Sequence, residues 1–74
     1  MDNQMTHVDL AKRFTYHPPK DDDQAIRYEK IRDWGYQLAT SIIKTTPPSR
    51  EQSLALTALE ECVMWANAAI ARNE

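Results

Sequence analysis

The sequence contains little glycine, little cysteine and no excess of basic residues, and each shortage excludes a class of function. One glycine among 74 residues cannot form a glycine-rich phosphate-binding loop. One cysteine excludes an internal disulfide, and no motif suggests a metal cluster. A net charge of −2 argues against a binder of long nucleic acid, because such proteins normally present a basic face.

The sequence also lacks a long apolar run. The longest uninterrupted run covers residues 62–66, which is far shorter than a membrane span, so we expect no membrane association. The first residues show no charged-then-apolar pattern of a secretory signal. Because the chain also has a lone thiol, the expected location is the cytoplasm.

Two pairs of adjacent prolines divide the chain into segments. Pro18 and Pro19 hold the residues before them extended, and Pro47 and Pro48 end one helix before the next begins. Thr6 is a suitable cap for a short first helix, and the short connection between the two longer helices implies that they are antiparallel. The prediction is an all-α fold, a single helical hairpin domain over residues 1–74 with helices at about residues 6–13, 22–44 and 49–73.

The last predicted helix carries two apolar surfaces. Ser49 is a suitable N-cap, and Gln52 is placed to complete a capping box by reaching back to it. Seam one has helical spacing and consists of Leu56, Leu59, Val63, Ala66 and Ile70. Seam two is rotated from it by about 100° and consists of Ala55, Ala58, Cys62, Trp65 and Ala69. One seam can pack within the chain, so the other is predicted to meet a second copy.

The second predicted helix begins after an acidic run. Asp21, Asp22 and Asp23 are typical of a capped helix N-terminus, where the dipole favours anions, and a metal site is the alternative interpretation. Gly35 lies in the apolar row of this helix and costs about 1 kcal/mol relative to alanine. Its presence therefore indicates a close crossing, with the small residues of seam two as the expected neighbour.

Residues 14–20 form an extended segment, called the strap below, between the first two helices. Phe14 is predicted to be buried and Tyr16 to lie at the rim. An aromatic ring beside cations suits a nucleotide, since a base stacks on the ring and a phosphate meets the cation. Alternatively, Tyr16 packs against the hairpin and the cations are solvated. The basic residues near Tyr16 in sequence are Lys12, Arg13, Lys20, Arg27, Lys30 and Arg32.

No group of residues in the sequence suggests catalysis. His7 and His17 lie in the short first helix and in the strap. Cys62 falls within a packing seam, so a buried structural thiol is favoured over a nucleophile paired with histidine. Glu60 and Glu61 lie on a helix flank, where acidic side chains are usually solvated. We therefore predict no enzymatic activity, no metal site and no cofactor.

Arg72 and Asn73 close the last helix. A cation at this end complements the helix dipole, which is a sufficient local explanation. In a symmetric assembly, however, one Arg72 from each copy near an axis would form a ring of positive charge. Such a ring is costly unless an anion fills it.

Several stretches of the sequence are distinctive: FTYHPPK in the strap, Gln24 and RYEKIRD in the second helix, and PPSREQSLALTALEECVMWANAAIARNE at the end. Over residues 14–74 they resemble small phage proteins that defeat CBASS immunity by sequestering its cyclic-oligonucleotide signals. The same helical hairpin domain is shared with the anti-Thoeris sponges. The block SREQSLALTALEECVMWANAAIARN is the most specific part of the resemblance.

This resemblance implies an all-helical homohexamer that binds cyclic dinucleotides and cyclic trinucleotides at separate sites without cleaving them. The implied ligands are cyclic GMP-AMP-like dinucleotides and cyclic tri-adenylate-like trinucleotides. The resemblance also implies which residues form the dinucleotide site and which form the trinucleotide site. For the dinucleotide these are Tyr16, which stacks on a base, Pro18, and a basic residue at the phosphates, with Lys30 preferred over Arg27 or Arg32. For the trinucleotide they are Ser49, Arg72 and Asn73.

The sequence thus predicts a sponge that captures cyclic nucleotides in the cytoplasm of the infected bacterial host. Its other expected partner is a further copy of itself, and neither long nucleic acid nor a membrane is expected. The alternative is a small helical adaptor or regulator that binds a protein partner through an apolar helix seam.

Overall fold

The computed structural model describes residues 7–74, so the predicted cap at Thr6 lies outside the described residues. Within residues 7–74 the chain is all-helical, with three helices and no strand. The helices are α1 (His7–Phe14), α2 (Asp22–Thr45) and α3 (Arg50–Asn73). The two long helices form an antiparallel hairpin, because residues at the start of α2 contact the end of α3. The predicted helical hairpin is therefore present.

Side-chain caps explain where both long helices begin. Asp21 Oδ1 accepts a hydrogen bond from the backbone N–H of Gln24 at 2.8 Å, and Ser49 Oγ accepts one from that of Gln52 at 3.1 Å. Both predicted caps are confirmed. The bond from the Ser49 backbone N–H to Gln52 that would complete the capping box is not among the hydrogen bonds of residues 7–74, and the Gln52 amide nitrogen donates to the carbonyl and hydroxyl oxygens of Thr46, each at 3.1 Å. Gln52 thereby closes the turn between the two long helices.

Seam one is the surface that α3 turns toward α2. All five of its residues are half-buried. A Cβ atom added to Gly35 of α2 would lie 2.5 Å from Val63 Cγ2, which is closer than van der Waals contact allows. The close crossing at Gly35 is therefore confirmed, but its predicted neighbour is wrong, because Gly35 meets the bulky seam one and not the small seam two.

Seam two lies on the flank of α3 and is not covered by α2. All five of its residues are exposed, including Trp65, whose exposed fraction is 60%. Cys62, predicted to be buried, is exposed in the single chain because it lies on this face. The chain therefore leaves one complete apolar row of α3 uncovered.

The short helix α1 is joined to the hairpin by few side chains. Lys12 Nζ donates to Asn73 Oδ1 at 3.4 Å. Phe14 was expected to be buried in an extended segment, but it is the last residue of α1 and is 83% exposed. This prediction is wrong because the helix continues one residue further and directs Phe14 to solvent.

Among the described residues, α3 is the one helix whose length and composition would allow it to cross a membrane, a test that core helices of soluble proteins also meet. Glu60 and Glu61 lie near its middle. A charged side chain at that depth costs about 2.5–3.5 kcal/mol on insertion. With seam one already packed on α2, the apolar character of α3 is better explained by contacts with protein.

Candidate functional site

The strap lies at the open end of the hairpin, where α2 begins and α3 ends. His17 Nε2 donates a hydrogen bond to the Lys12 carbonyl oxygen at 2.9 Å, which holds the strap against the end of α1. A carbonyl can only accept, so the proton of His17 lies on Nε2. The neighbouring Tyr16 is 82% exposed. Its ring is therefore open to a stacking partner.

Gln24 connects the strap to both long helices. It is the most buried polar residue of the described chain, with an exposed fraction of 3%. Its Oε1 accepts from the backbone N–H of Lys20 at 2.9 Å, and its Nε2 donates to Glu74 Oε1 at 3.1 Å. One side chain thus fixes the end of the strap to the end of α3.

Arg27 and Glu74 form a two-pronged ion pair beside Gln24. Arg27 Nη1 donates to Glu74 Oε2 at 2.8 Å and Nη2 to Oε1 at 2.5 Å, while Nε donates to Asp23 Oδ2 at 3.0 Å. Hydrogen bonds from Arg27 and then from Gln24 lower the pKa of the Glu74 carboxyl from 4.5 to about 2. The same carboxylate raises the pKa of Arg27 above its ordinary value. A phosphate at this guanidinium would compete with Glu74 and Asp23 for it.

An open groove of about 480 Å³ runs between the strap, α2 and α3. We call it the strap groove. This volume lies in the range of small-molecule sites. Its walls combine a cation, an acid, a histidine and an amide with small apolar residues. The lining residues are His17, Pro19, Ala25, Tyr28, Glu29, Arg32, Asn67, Ala68 and Ala71.

The three basic candidates of α2 are divided between two grooves. Arg32 lines the strap groove together with His17 of the strap. Lys30 and Arg27 line a separate groove of about 160 Å³ beside Trp34. Within one chain, therefore, Arg32 is the candidate that the fold places with the strap. The assignment of Lys30 as the phosphate contact stays a prediction.

The three residues predicted for the trinucleotide are not together in one chain. Ser49 precedes α3, whereas Arg72 and Asn73 end it, and a helix of 24 residues is about 36 Å long. The Arg72 guanidinium carbon lies 6.0 Å from the Trp65 ring centroid. Arg72 follows seam two by one more helical step of three residues, so it extends the uncovered apolar row.

Both Ser49 and Asn73 already make local hydrogen bonds. The Ser49 hydroxyl donates to the Pro47 carbonyl at 3.0 Å while it caps α3. A hydroxyl has one proton to donate, so a phosphate contact from Ser49 would replace its bond to Pro47. Asn73 Nδ2 donates to the Ala69 carbonyl at 3.0 Å, and Asn73 Oδ1 accepts from Lys12.

The family described as Acb2/Tad1, hairpin domain, matches residues 6–71. The chain belongs to this family. Its members are phage sponges that bind cyclic nucleotides and are not enzymes, which confirms the resemblance seen in the sequence. No curated protein and no solved structure gives a match. In this member of the hairpin family, the function is therefore to be sought in binding surfaces.

The residues considered for catalysis are scattered over the hairpin domain. Cys62 lies on seam two, while His17 lies in the strap groove at the open end of the hairpin. Among residues 7–74, no three His, Cys, Asp or Glu side chains are grouped so that they could hold a metal ion. Asp21, considered as a metal ligand, caps α2.

Sequence reasoning missed two polar residues of the strap groove, Tyr28 and Asn67. Tyr28 lies seven residues before Gly35 in α2, a spacing typical of an apolar row, so the pattern gave no signal for its hydroxyl. Asn67 interrupts an alanine-rich run near the end of α3. The available signal was that Asn67 is a single amide on a face of α3 whose other residues are small and apolar. The groove that joins the two residues could not be read from spacing, because it depends on the docking of three segments.

Proposed function

We propose that this chain sequesters cyclic dinucleotide and cyclic trinucleotide messengers of CBASS immunity in the cytoplasm of the infected bacterial host. The observation that carries the proposal is membership of the Acb2/Tad1 hairpin family over residues 6–71. The protein binds its ligands intact, so its effect depends on affinity and on the number of sites. A net charge of −2 suits this role, because it disfavours long nucleic acid while local cations still attract small anions.

The sponge works as a homo-oligomer, and a hexamer is the assembly that the resemblance implies. The support is the exposed seam two, a row of small residues around Trp65 on a 24-residue helix. A domain of this size buries only about 60% of its unfolded surface. Covering seam two with a second copy adds apolar burial that the single chain lacks.

Tyr16 stacks on a base of the cyclic dinucleotide, with Pro18 beside it and a cation of α2 at the phosphates. The bond between His17 and the Lys12 carbonyl fixes the position of the residue that follows Tyr16. Stacking on an aromatic ring contributes about 1–3 kcal/mol per base. Lys30 is the preferred cation when sites form between copies, and Arg32 is the cation available within one chain.

Ser49, Arg72 and Asn73 bind the cyclic trinucleotide, and this site requires more than one copy. The ends of α3 are about 36 Å apart, so Ser49 can approach an Arg72 side chain only when that side chain comes from another copy. Arg72 extends seam two, which is the surface expected at that interface. Several copies of Arg72 close together would repel each other unless an anion lies between them.

A retention experiment tests the sponge. Purified protein at micromolar concentration is mixed with a cyclic dinucleotide or trinucleotide and filtered, and the retained fraction is boiled and analysed. Recovery of intact ligand is expected. Absence of retention would contradict the proposal, and recovery of a linear product would show an enzyme.

Two variants separate the two sites. Tyr16→Ala is expected to weaken dinucleotide binding by about tenfold or more, the equivalent of one lost stacking contact, and to leave the trinucleotide bound. Arg72→Ala is expected to do the reverse. Tyr16→Phe keeps the ring and Arg72→Lys keeps the charge without the planar fork, so they serve as matched controls. If one substitution abolished both activities in an intact oligomer, the two sites would not be separate.

A helical adaptor is the second candidate, and the exposed seam two favours it as well. An apolar row on one helix is the surface that helix-in-groove partners use. An adaptor would fail to retain either cyclic nucleotide and would remain a single copy in the absence of its partner protein. Sedimentation of the protein alone and the filtration assay together separate the two functions.

A further inference from the structure

Two buried polar atoms of the strap groove have no hydrogen-bond partner. They are Tyr28 Oη and Asn67 Oδ1, and both side chains line the groove. Tyr28 is only 9% exposed. More than nine in ten buried polar groups in proteins are paired, and each unpaired one costs about fivefold to 150-fold in the folding equilibrium. Two such atoms in one groove call for an explanation.

The two side chains come from opposite walls of the groove. Tyr28 belongs to α2 and Asn67 to α3, so the hairpin itself brings the two side chains to the same groove. Arg32 and Glu29 of α2 and His17 of the strap provide its charged and polar rim. A cavity of about 480 Å³ with a few convergent polar groups has the composition of a ligand site.

The chemistry of the groove suits a purine nucleotide. An asparagine amide pairs with adenine through two hydrogen bonds, accepting from N6 and donating to N7. The unpaired atom of Asn67 is its acceptor, and the Tyr28 hydroxyl can donate or accept. An arginine at the rim matches a phosphate group. The side-chain amide turns about a broad terminal torsion, so Asn67 can bring Oδ1 to a ligand in the groove.

We propose that the strap groove is a base-reading site, in which Asn67 and Tyr28 hydrogen-bond the edge of an adenine of the cyclic oligonucleotide and Arg32 contacts its phosphate. This inference rests on the proposed sponge function and adds a base preference to it. Tyr16 lies next to the groove along the strap and contributes stacking that is independent of base identity. Discrimination between bases then resides in Asn67 and Tyr28.

A base-reading role predicts opposite effects on stability and on binding. Removing the Tyr28 hydroxyl deletes an unpaired buried group, so Tyr28→Phe is expected to leave Tm unchanged or raise it. The same change is expected to weaken binding of an adenine-containing ligand by about threefold to tenfold, the effect of one neutral hydrogen bond. If the Tyr28 hydroxyl had a purely structural role, Tyr28→Phe would lower Tm without this selective loss of adenine binding.

The test uses cyclic di-adenylate and cyclic di-uridylate as probes, with affinities measured by titration calorimetry and Tm by circular dichroism. Wild type is expected to prefer the adenine ligand by about tenfold or more, since two hydrogen bonds are at stake. Asn67→Ala is expected to remove most of that preference while binding of cyclic di-uridylate is retained. Tyr36→Phe removes a hydroxyl from an exposed tyrosine of the same helix and is the matched control, with both affinities unchanged.

The possible outcomes separate this inference from the function on which it rests. If wild type bound neither ligand, the base-reading site would be overturned, and the sponge proposal would fail as well if the filtration assay also retained no cyclic dinucleotide or trinucleotide. If wild type bound both equally, or if Tyr28→Phe and Asn67→Ala bound both as wild type does, the base-reading site would be overturned and the sponge would stand. A rise in Tm without any loss of affinity would also overturn it, because the hydroxyl would then have no ligand to bind.

Discussion

The two seams of α3 are adjacent rows on one helix, yet the fold uses them differently. Seam one is half-buried against α2, and Gly35 lets the two helices approach closely at Val63. Seam two is exposed along its whole length and continues into Arg72. The single chain therefore covers only one of the two apolar rows of α3. Seam one holds the hairpin together, whereas seam two remains available for a second copy.

The largest expected effect comes from a charge on seam one. Val63→Asp places a carboxylate at the closest crossing of the hairpin, where burial disfavours the charged form. We expect the free energy of unfolding to fall by about 3 kcal/mol, which is a large share of the stability of so small a domain. Thermal unfolding followed by circular dichroism measures this. An unchanged Tm would show that seam one does not hold the hairpin together.

The same charge placed one residue earlier provides the matched comparison. Cys62→Asp lies on exposed seam two, so the stability of the isolated chain is expected to change by less than about 0.5 kcal/mol. Assembly is expected to be lost, because the carboxylate would be buried without a partner at the interface. Sedimentation at several protein concentrations measures this, and stabilities are compared where wild type has dissociated. An intact oligomer would place the interface elsewhere.

Local sequence rules predicted the framework of the fold well. The proline pairs and the caps at Asp21 and Ser49 marked the helix starts, because a cap depends on residues within one turn. Helical spacing also defined both seams correctly. It could not tell which seam α2 would cover, so the exposure of Cys62 and the contact of Gly35 with Val63 were missed.

The candidate site was less predictable than the fold, for a physical reason. The ion pair of Arg27 and Glu74 joins residues 47 apart in sequence, and the strap groove forms only when the strap meets both helices. No local pattern encodes such a meeting. Residue type still selected Tyr16 and Arg72 as binding candidates, whereas Tyr28 and Asn67 became visible only as unpaired atoms in the folded chain.

Gly35 gives a finer test of the packing on seam one. Gly35→Ala gains about 1 kcal/mol of helix propensity but pushes a Cβ against Val63, whose branched side chain has one strongly preferred rotamer in a helix. Overpacking of this kind costs about 1–3 kcal/mol, so we expect a net loss of about 1 kcal/mol in unfolding experiments. In a Val63→Ala background the clash disappears, and the same substitution is expected to stabilise the chain. A loss of equal size in both backgrounds would refute the proposed contact.

The smallest expected effect lies at the open end of the hairpin, where Glu74 reinforces the side of α3 that faces α2. The pKa of Glu74 is lowered to about 2 by Arg27 and Gln24, so its contribution to stability is fully present above pH 4.5. That contribution is lost as the pH falls from about 4.5 to 2, because the folded chain must then take up a proton at Glu74 and weaken the ion pair. In Glu74→Gln the amide cannot titrate, so this variant is expected to lose less Tm than wild type over the same pH interval. The control is Glu51→Gln, at the opposite end of α3, and it should follow the wild-type profile.

Identical profiles for wild type and Glu74→Gln would mean that the ion pair between Arg27 and Glu74 does not stabilise the hairpin. Seam one alone would then hold α3 against α2.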